Sequence, residues 1–238
     1  MNNFKTTLIV SSKHFKTICK HRYWVRYYGS IAELSKKQLF LHDLSKFSYI
    51  EFSESVKYYS GDKSPIDNCK DINGYSLAWQ HHKGRNPHHY EYWMDNFDTG
   101  TTPIRMPYEY AVELLCDWLA AGRTYSENMN KRFSYKDELD YVISKFDNGC
   151  AMHPDDQKFV YLVLRNLKYL DNLPKIKDKC MKYVLKDKFF NKYILKDLYD
   201  YSTEVTDEEF NSIRESVEHG FFEPNRKGAI EDVRESAG

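Results

Sequence analysis

Side chains able to hold a cation are concentrated in the first half of the chain, where seven of the nine histidines precede residue 90. His42-Asp43 lies among Leu39, Phe40, Leu41 and Leu44, a stretch read as a buried helix. An ionised carboxylate there is costly unless it is paired, hydrogen-bonded or bound to a cation. The plainer alternative is a surface-facing pair with the apolar residues on the other side. His21 stands one turn from Ile18 and Val25 on an apolar stripe, where a histidine is more often a satisfied core residue than a ligand. Asp117 sits inside another apolar helix with Glu113 four residues earlier on the same face. Two stacked carboxylates repel unless a cation or proton lies near, or unless that face is solvated. Four imidazoles, His81, His82, His88 and His89, bracket Lys83, Arg85 and Asn86 within nine residues. Neutral imidazole is a common transition-metal ligand and carboxylates complete such sites; an aromatic and polar surface strip is the alternative.

The elements that must carry these groups read as helices. His14, Ile18, His21, Val25 and Tyr28 recur at steps of four and three, which predicts one face of a helix over about 4–28, stopped by Gly29-Ser30. A short helix over about 31–46 carries His42-Asp43. Ser48-Tyr49-Ile50-Glu51 has the pattern of a capping box and opens a helix to about Tyr59. Composition makes 60–72 a loop. A helix over about 73–83 ends at Gly84, and Asn86-Pro87 caps another through Trp93. After a loop over 96–106, Pro107 opens a long helix to about Ala121, with Gly122 past its end. Helical patterns continue over about 135–147, 155–170, 175–200 and 207–219, and the polar tail from Glu223 is expected to fray. The expected fold class is therefore all-α, with a boundary near 125–133.

Composition narrows the function. The chain has 238 residues with 35 basic and 35 acidic side chains, so a general coat for DNA or an acidic membrane is not expected. Hydrophobic residues at 41% and charged residues at 29% are ordinary for a globular protein. Residues 175–196 are Lys-rich and 197–238 strongly acidic, most simply a solvated end. No apolar run is long enough for a membrane span, and Leu8-Ile9-Val10 is too short for a signal-peptide core. Cys19, Cys69, Cys116, Cys150 and Cys180 are scattered and odd in number, which suggests reduced thiols and a cytoplasmic protein. Gly-x-Gly-x-x-Gly, P-loop and Gly-x-Ser-x-Gly patterns are absent, and no helix carries a basic face suited to sequence-specific DNA reading.

The order His21, His42-Asp43, histidine cluster, Asp117 resembles the HD-domain superfamily of metal-dependent phosphohydrolases. Leu41-His42-Asp43-Leu44-Ser45-Lys46 resembles its most characteristic stretch, and His21-Arg22-Tyr23-Trp24-Val25 its first ligand helix. The segments Trp79 to Trp93 and Met106-Pro107 through Asp117-Trp118 look like a family of uncharacterised bacterial and phage proteins near that superfamily. The resemblance covers about 14–125. It implies an HD-like helical bundle over 1–130, followed by a helical extension with an acidic tail over 131–238.

The resemblance also implies one or two divalent ions (Mn, Mg, Fe, Co, Ni or Zn) held by His21, His42, Asp43 and Asp117, with Asp43 bridging to a second set. Helix neighbours point about 100° apart, so one histidine of each pair should face the metal. The expectation assigns His82 and His89 to it, with His81 and His88 flanking or touching substrate. Asp43 or Glu113 would orient water, and Lys46, Lys83 and Arg85 would meet phosphate. The expected partner is a small phosphate ester, a nucleotide first, hydrolysed by a monophosphatase or phosphodiesterase; self-association is compatible with this. Two alternatives compete: an HD-type di-iron oxygenase, and a non-catalytic helical scaffold.

Overall fold

The structure, a computed structural model, describes residues 2–98, 100–174 and 177–215. It is all-α apart from one hairpin, in which β1 (Met94–Phe97) pairs antiparallel with β2 (Gly100–Pro103). The chain divides into two compact units. Among the described residues, the first takes in those of 2–30, 34–93 and 113–133, and the second those of 31–33, 94–112 and 134–215. The hairpin segment therefore groups with the C-terminal helices.

In the first unit, α1 (Asn2–Ile31) runs through Gly29-Ser30 without stopping. Gly29 serves packing instead: a Cβ there would meet Leu39 Cδ2 at 2.3 Å. The stripe His14, Ile18, His21, Val25 and Tyr28 is buried along its length. The helix expected over 31–46 is broken. α2 (Lys36–Leu41) ends at His42, and a 3₁₀ turn covers Leu44–Phe47. Phe40, Leu41 and Leu44 are 62%, 49% and 39% exposed, so they do not wrap Asp43, which is nonetheless fully buried.

Ser48 caps α3 (Tyr49–Tyr58) by accepting from the Glu51 N–H. The expected loop at 60–72 contains α4 (Pro65–Asn73), with Pro65 in its first turn and Gly74 left-handed at φ 77° past its end. Those local signals outweigh the polar composition. α5 (Leu77–Lys83) is capped by Ser76, and α3 packs on both α4 and α5. Pro87 does not open the expected α-helix; a 3₁₀ turn, Tyr90–Trp93, forms there instead. α6 (Tyr108–Asn128) continues past Gly122 despite that residue's weak propensity, and bonds from Asn128 Nδ2 to Thr17 Oγ1 and the Gly61 carbonyl oxygen hold its last turn.

In the second unit, α7 (Tyr135–Asp147) and α8 (Pro154–Leu167) lie near the expected spans, and the helix expected at 175–200 splits into α9 (Asp178–Lys188) and α10 (Lys192–Tyr201). α11 (Asp207–Glu215) ends the described chain, so the readings of 216–219 and of the acidic tail lie outside the described residues. Phe159, Leu162, Leu164, Leu195 and Leu198 form part of this unit's core. All five cysteines are unpaired. No helix among the described residues is long and apolar enough to cross a membrane.

Candidate metal centre

The break at His42 is what aims two adjacent side chains at one point. On an unbroken helix His42 and Asp43 would diverge by about 100°. Here Asp43 is left-handed, at φ 57°, a conformation that Asp tolerates better than most residues. Arg22 Nη2 donates to the Phe40 carbonyl oxygen at 2.7 Å and so ties the end of α2 to α1.

Two groups of ligand atoms meet at Asp43. In the first, His21 Nε2 lies 3.1 Å from Asp43 Oδ2 and 3.0 Å from Asp117 Oδ1. His42 Nε2 is 3.4 Å from each of the same oxygens and 3.4 Å from His21 Nε2. In the second, Asp43 Oδ1 faces His82 Nε2 at 3.2 Å and His88 Nε2 at 3.5 Å, with His89 Nε2 2.9 Å from His82 Nε2. Ions held at about 2.0–2.2 Å place neighbouring ligand atoms about 3.0–3.4 Å apart, so these spacings fit a cation. Asp43 Oδ1, Asp117 Oδ1 and His88 Nε2 are buried with no hydrogen-bond partner, and Asp43 Oδ2 is met from one side by the Lys46 ammonium. Such orphaned atoms are rare in a folded protein, and a bound ion would satisfy them. The buried His/Asp groups could therefore hold a metal ion.

Two further carboxylates fix the imidazoles from behind. Glu113 Oε1 lies 2.8 Å from His42 Nδ1 and 3.4 Å from His88 Nδ1, and Gln38 Nε2 donates to its Oε2 at 2.6 Å. Glu51 is bonded by His81 Nδ1 at 2.6 Å and by His82 Nδ1 at 2.7 Å. A carboxylate only accepts, so each Nδ1 donates to it, which leaves Nε2 of His42, His82 and His88 turned to the interior. Glu113 thus supports one imidazole from each group, whereas Glu51 supports only the second. Glu113→Gln is expected to weaken metal binding by both groups about 10–100-fold, and Glu51→Gln by the second group alone. Metal titrations of the two variants check this.

The electrostatics match. Burial opposes ionisation of Asp43 and Asp117, but Lys46 and the histidines around them hold both well below the usual carboxylate range. Glu113 is likewise brought down to about 2 against its burial, mainly by His42 and His88. Burial disfavours charge on His42 and His82, yet Asp43 and the neighbouring carboxylates raise both. His89 is pushed well below its ordinary value by burial and by its histidine neighbours. In the metal-free chain, protons on His42 and His82 offset the buried negative charge, and a metal must displace them. Apparent affinity should therefore rise with pH through those raised values, with protons released on binding. Calorimetry in buffers of different ionisation enthalpy measures that release; a buffer-independent heat would contradict it.

The expected ligands His21, His42, Asp43, His82, His89 and Asp117 are thus brought together. His88, expected to flank the centre, converges with the ligands, because the chain after Gly84 turns rather than forming a helix. Asn86 makes that turn, donating to the His82 carbonyl oxygen at 2.7 Å and to Ser45 Oγ at 2.9 Å; it does not cap an α-helix. His81 stays outside, on Glu51. Lys46 reaches the centre, with Nζ 2.5 Å from Asp43 Oδ2. Arg85 is exposed and turned onto the His81 carbonyl oxygen, and Lys83 is half-buried at the end of α5. The sequence reading gave no site role to Glu51, whose capping-box position explained it fully as a helix start.

These features define a helical protein with a buried histidine–carboxylate centre. The chain belongs to the family described as "Family of unknown function (DUF5662)", which matches residues 10–166 and so contains every residue of the centre. No curated protein and no solved structure matches it.

Proposed function

We propose that the chain is a metal-dependent phosphohydrolase of HD type acting on a small phosphate ester, a nucleotide being the first candidate. The observation that carries this reading is Asp43, whose two oxygens face separate ligand groups while Lys46 presses on it from the side. His21, His42, Asp43 and Asp117 would hold one divalent ion, and Asp43, His82, His88 and His89 a second. When bound, such ions acidify water, neutralise phosphate oxygens and align an in-line attack. Glu51 and Glu113 keep the imidazoles oriented. The Lys46 ammonium, raised by Asp43 despite burial, stays charged and supplies a cation for a phosphate oxygen. That cation favours a phosphate ester over an uncharged oxidation substrate.

The test is elemental analysis of protein purified without a chelating tag, followed by phosphate release from nucleoside monophosphates, p-nitrophenyl phosphate and bis-p-nitrophenyl phosphate. Stoichiometric metal with metal-dependent release supports the reading. Iron with oxygen consumption and no phosphate release would replace it with an oxygenase, and absence of metal with it a scaffold.

A further inference from the structure

Beyond the centre, α1 and α6 face each other along a polar seam. Asp117, Thr124 and Asn128 follow at steps of seven and four on one face of α6, and His21, Thr17 and His14 at steps of four and three on one face of α1. The two faces meet at both ends of this stretch, through His21 Nε2 to Asp117 Oδ1 at 3.0 Å and Asn128 Nδ2 to Thr17 Oγ1 at 3.2 Å. Thr124 lies between those contacts. Its hydroxyl is buried with no partner, and Thr124 is only 1% exposed. His14, 5% exposed, leaves Nδ1 buried and unpartnered in the same way. Its ring rests between Phe52 and Tyr59, at 5.2 and 5.3 Å, and the Tyr59 hydroxyl is bonded to Thr17 at 2.7 Å.

Two buried polar groups without partners on facing helices, each about two turns along its helix from a centre read as a phosphate site, ask for a ligand with polar atoms of its own. We propose that the seam lined by His14, Thr17 and Thr124 binds the alcohol part of the ester, so that the substrate is the monophosphate of a polyhydroxylated alcohol such as a sugar. This rests on the hydrolase reading. Hydrolysis replaces the ester P–O bond with a bond from the water oxygen to phosphorus. The leaving oxygen takes a proton from that water and departs as a hydroxyl, one more group for the seam to hold. Burial, with help from the Lys46 charge, brings the His14 imidazole down to about 4. His14 is therefore neutral at pH 7 and suited to a hydroxyl, while Lys46 serves the anion.

The experiment compares ribose 5-phosphate with p-nitrophenyl phosphate, which lacks alcohol hydroxyls. Thr124→Val keeps the side chain's shape and removes only the hydroxyl. It should lower the ratio of kcat/KM for ribose 5-phosphate to that for p-nitrophenyl phosphate by about fivefold to tenfold, one neutral hydrogen bond's worth. His14→Gln should lower it too, and isotope-labelled His14 resonances should move further with ribose 5-phosphate than with inorganic phosphate. An unchanged ratio in Thr124→Val together with a silent His14 overturns the proposal, leaving buried water as the partner of these groups while the hydrolase reading stands. If neither ester is hydrolysed but ribose 5-phosphate still moves His14, the hydrolase reading falls and the seam remains a sugar-phosphate site.

Discussion

Asp43→Asn is expected to strip metal from both ligand groups at once, with an affinity loss greater than the roughly 10–100-fold that a supporting residue costs. Asn is nearly isosteric with Asp and tolerates the left-handed backbone at this position, so the turn that presents His42 should persist. What disappears is the negative charge that faces His21 and His42 through Oδ2 and His82 and His88 through Oδ1. Phosphate release should fall with the metal content. The informative contrast is with single-group variants: Asp117→Asn should empty only the first group and His89→Ala only the second. Elemental analysis of the three folded variants decides the matter. If Asp43→Asn keeps a full complement of metal, the shared carboxylate is not a ligand and the proposed centre is wrong.

Chelation should destabilise the native protein by a comparable margin. An ion present at 100 times its dissociation constant, bound only by the folded state, contributes about 2.7 kcal/mol. For a chain of this size each kcal/mol corresponds to about 2–4 °C in Tm. Removing one ion should therefore lower Tm by about 5–11 °C, and a second ion should enlarge the drop. The effect should be large here because the buried carboxylates Asp43, Asp117, Glu51 and Glu113 outnumber the cations near them, Lys46 and Arg22, and must otherwise recruit protons. The shift should vanish in Asp43→Asn. A chelator-induced change below about 1 °C in protein shown to contain metal would mean that the centre does not couple to folding as described.

The all-helical class and the candidate groups His21, His42-Asp43 and Asp117 were legible in the sequence, because helical periodicity and an acid within an apolar run are local signals. The reasoning for Asp43 was nevertheless incomplete. Phe40, Leu41 and Leu44 were expected to bury it, yet they face outward, and the side chains that close around it are His21, His42, His82, His88 and Lys46. Glu51 shows why local reading has a limit: a capping box accounts for that glutamate, and nothing within four residues reveals that its carboxylate crosses to His81 and His82 on α5.

What the residues settled by themselves was which chemical groups this chain possesses and that helices carry them, since propensity and spacing act over a few residues. What the tertiary structure alone decided was their aim: a left-handed turn at Asp43 sends its two oxygens to different partners, and the turn made by Asn86 brings His88 in and leaves His81 out. Those choices depend on contacts made 30 to 75 residues apart along the chain, from Glu51 to His81 and from Gln38 to Glu113, and so no short window of sequence contains them.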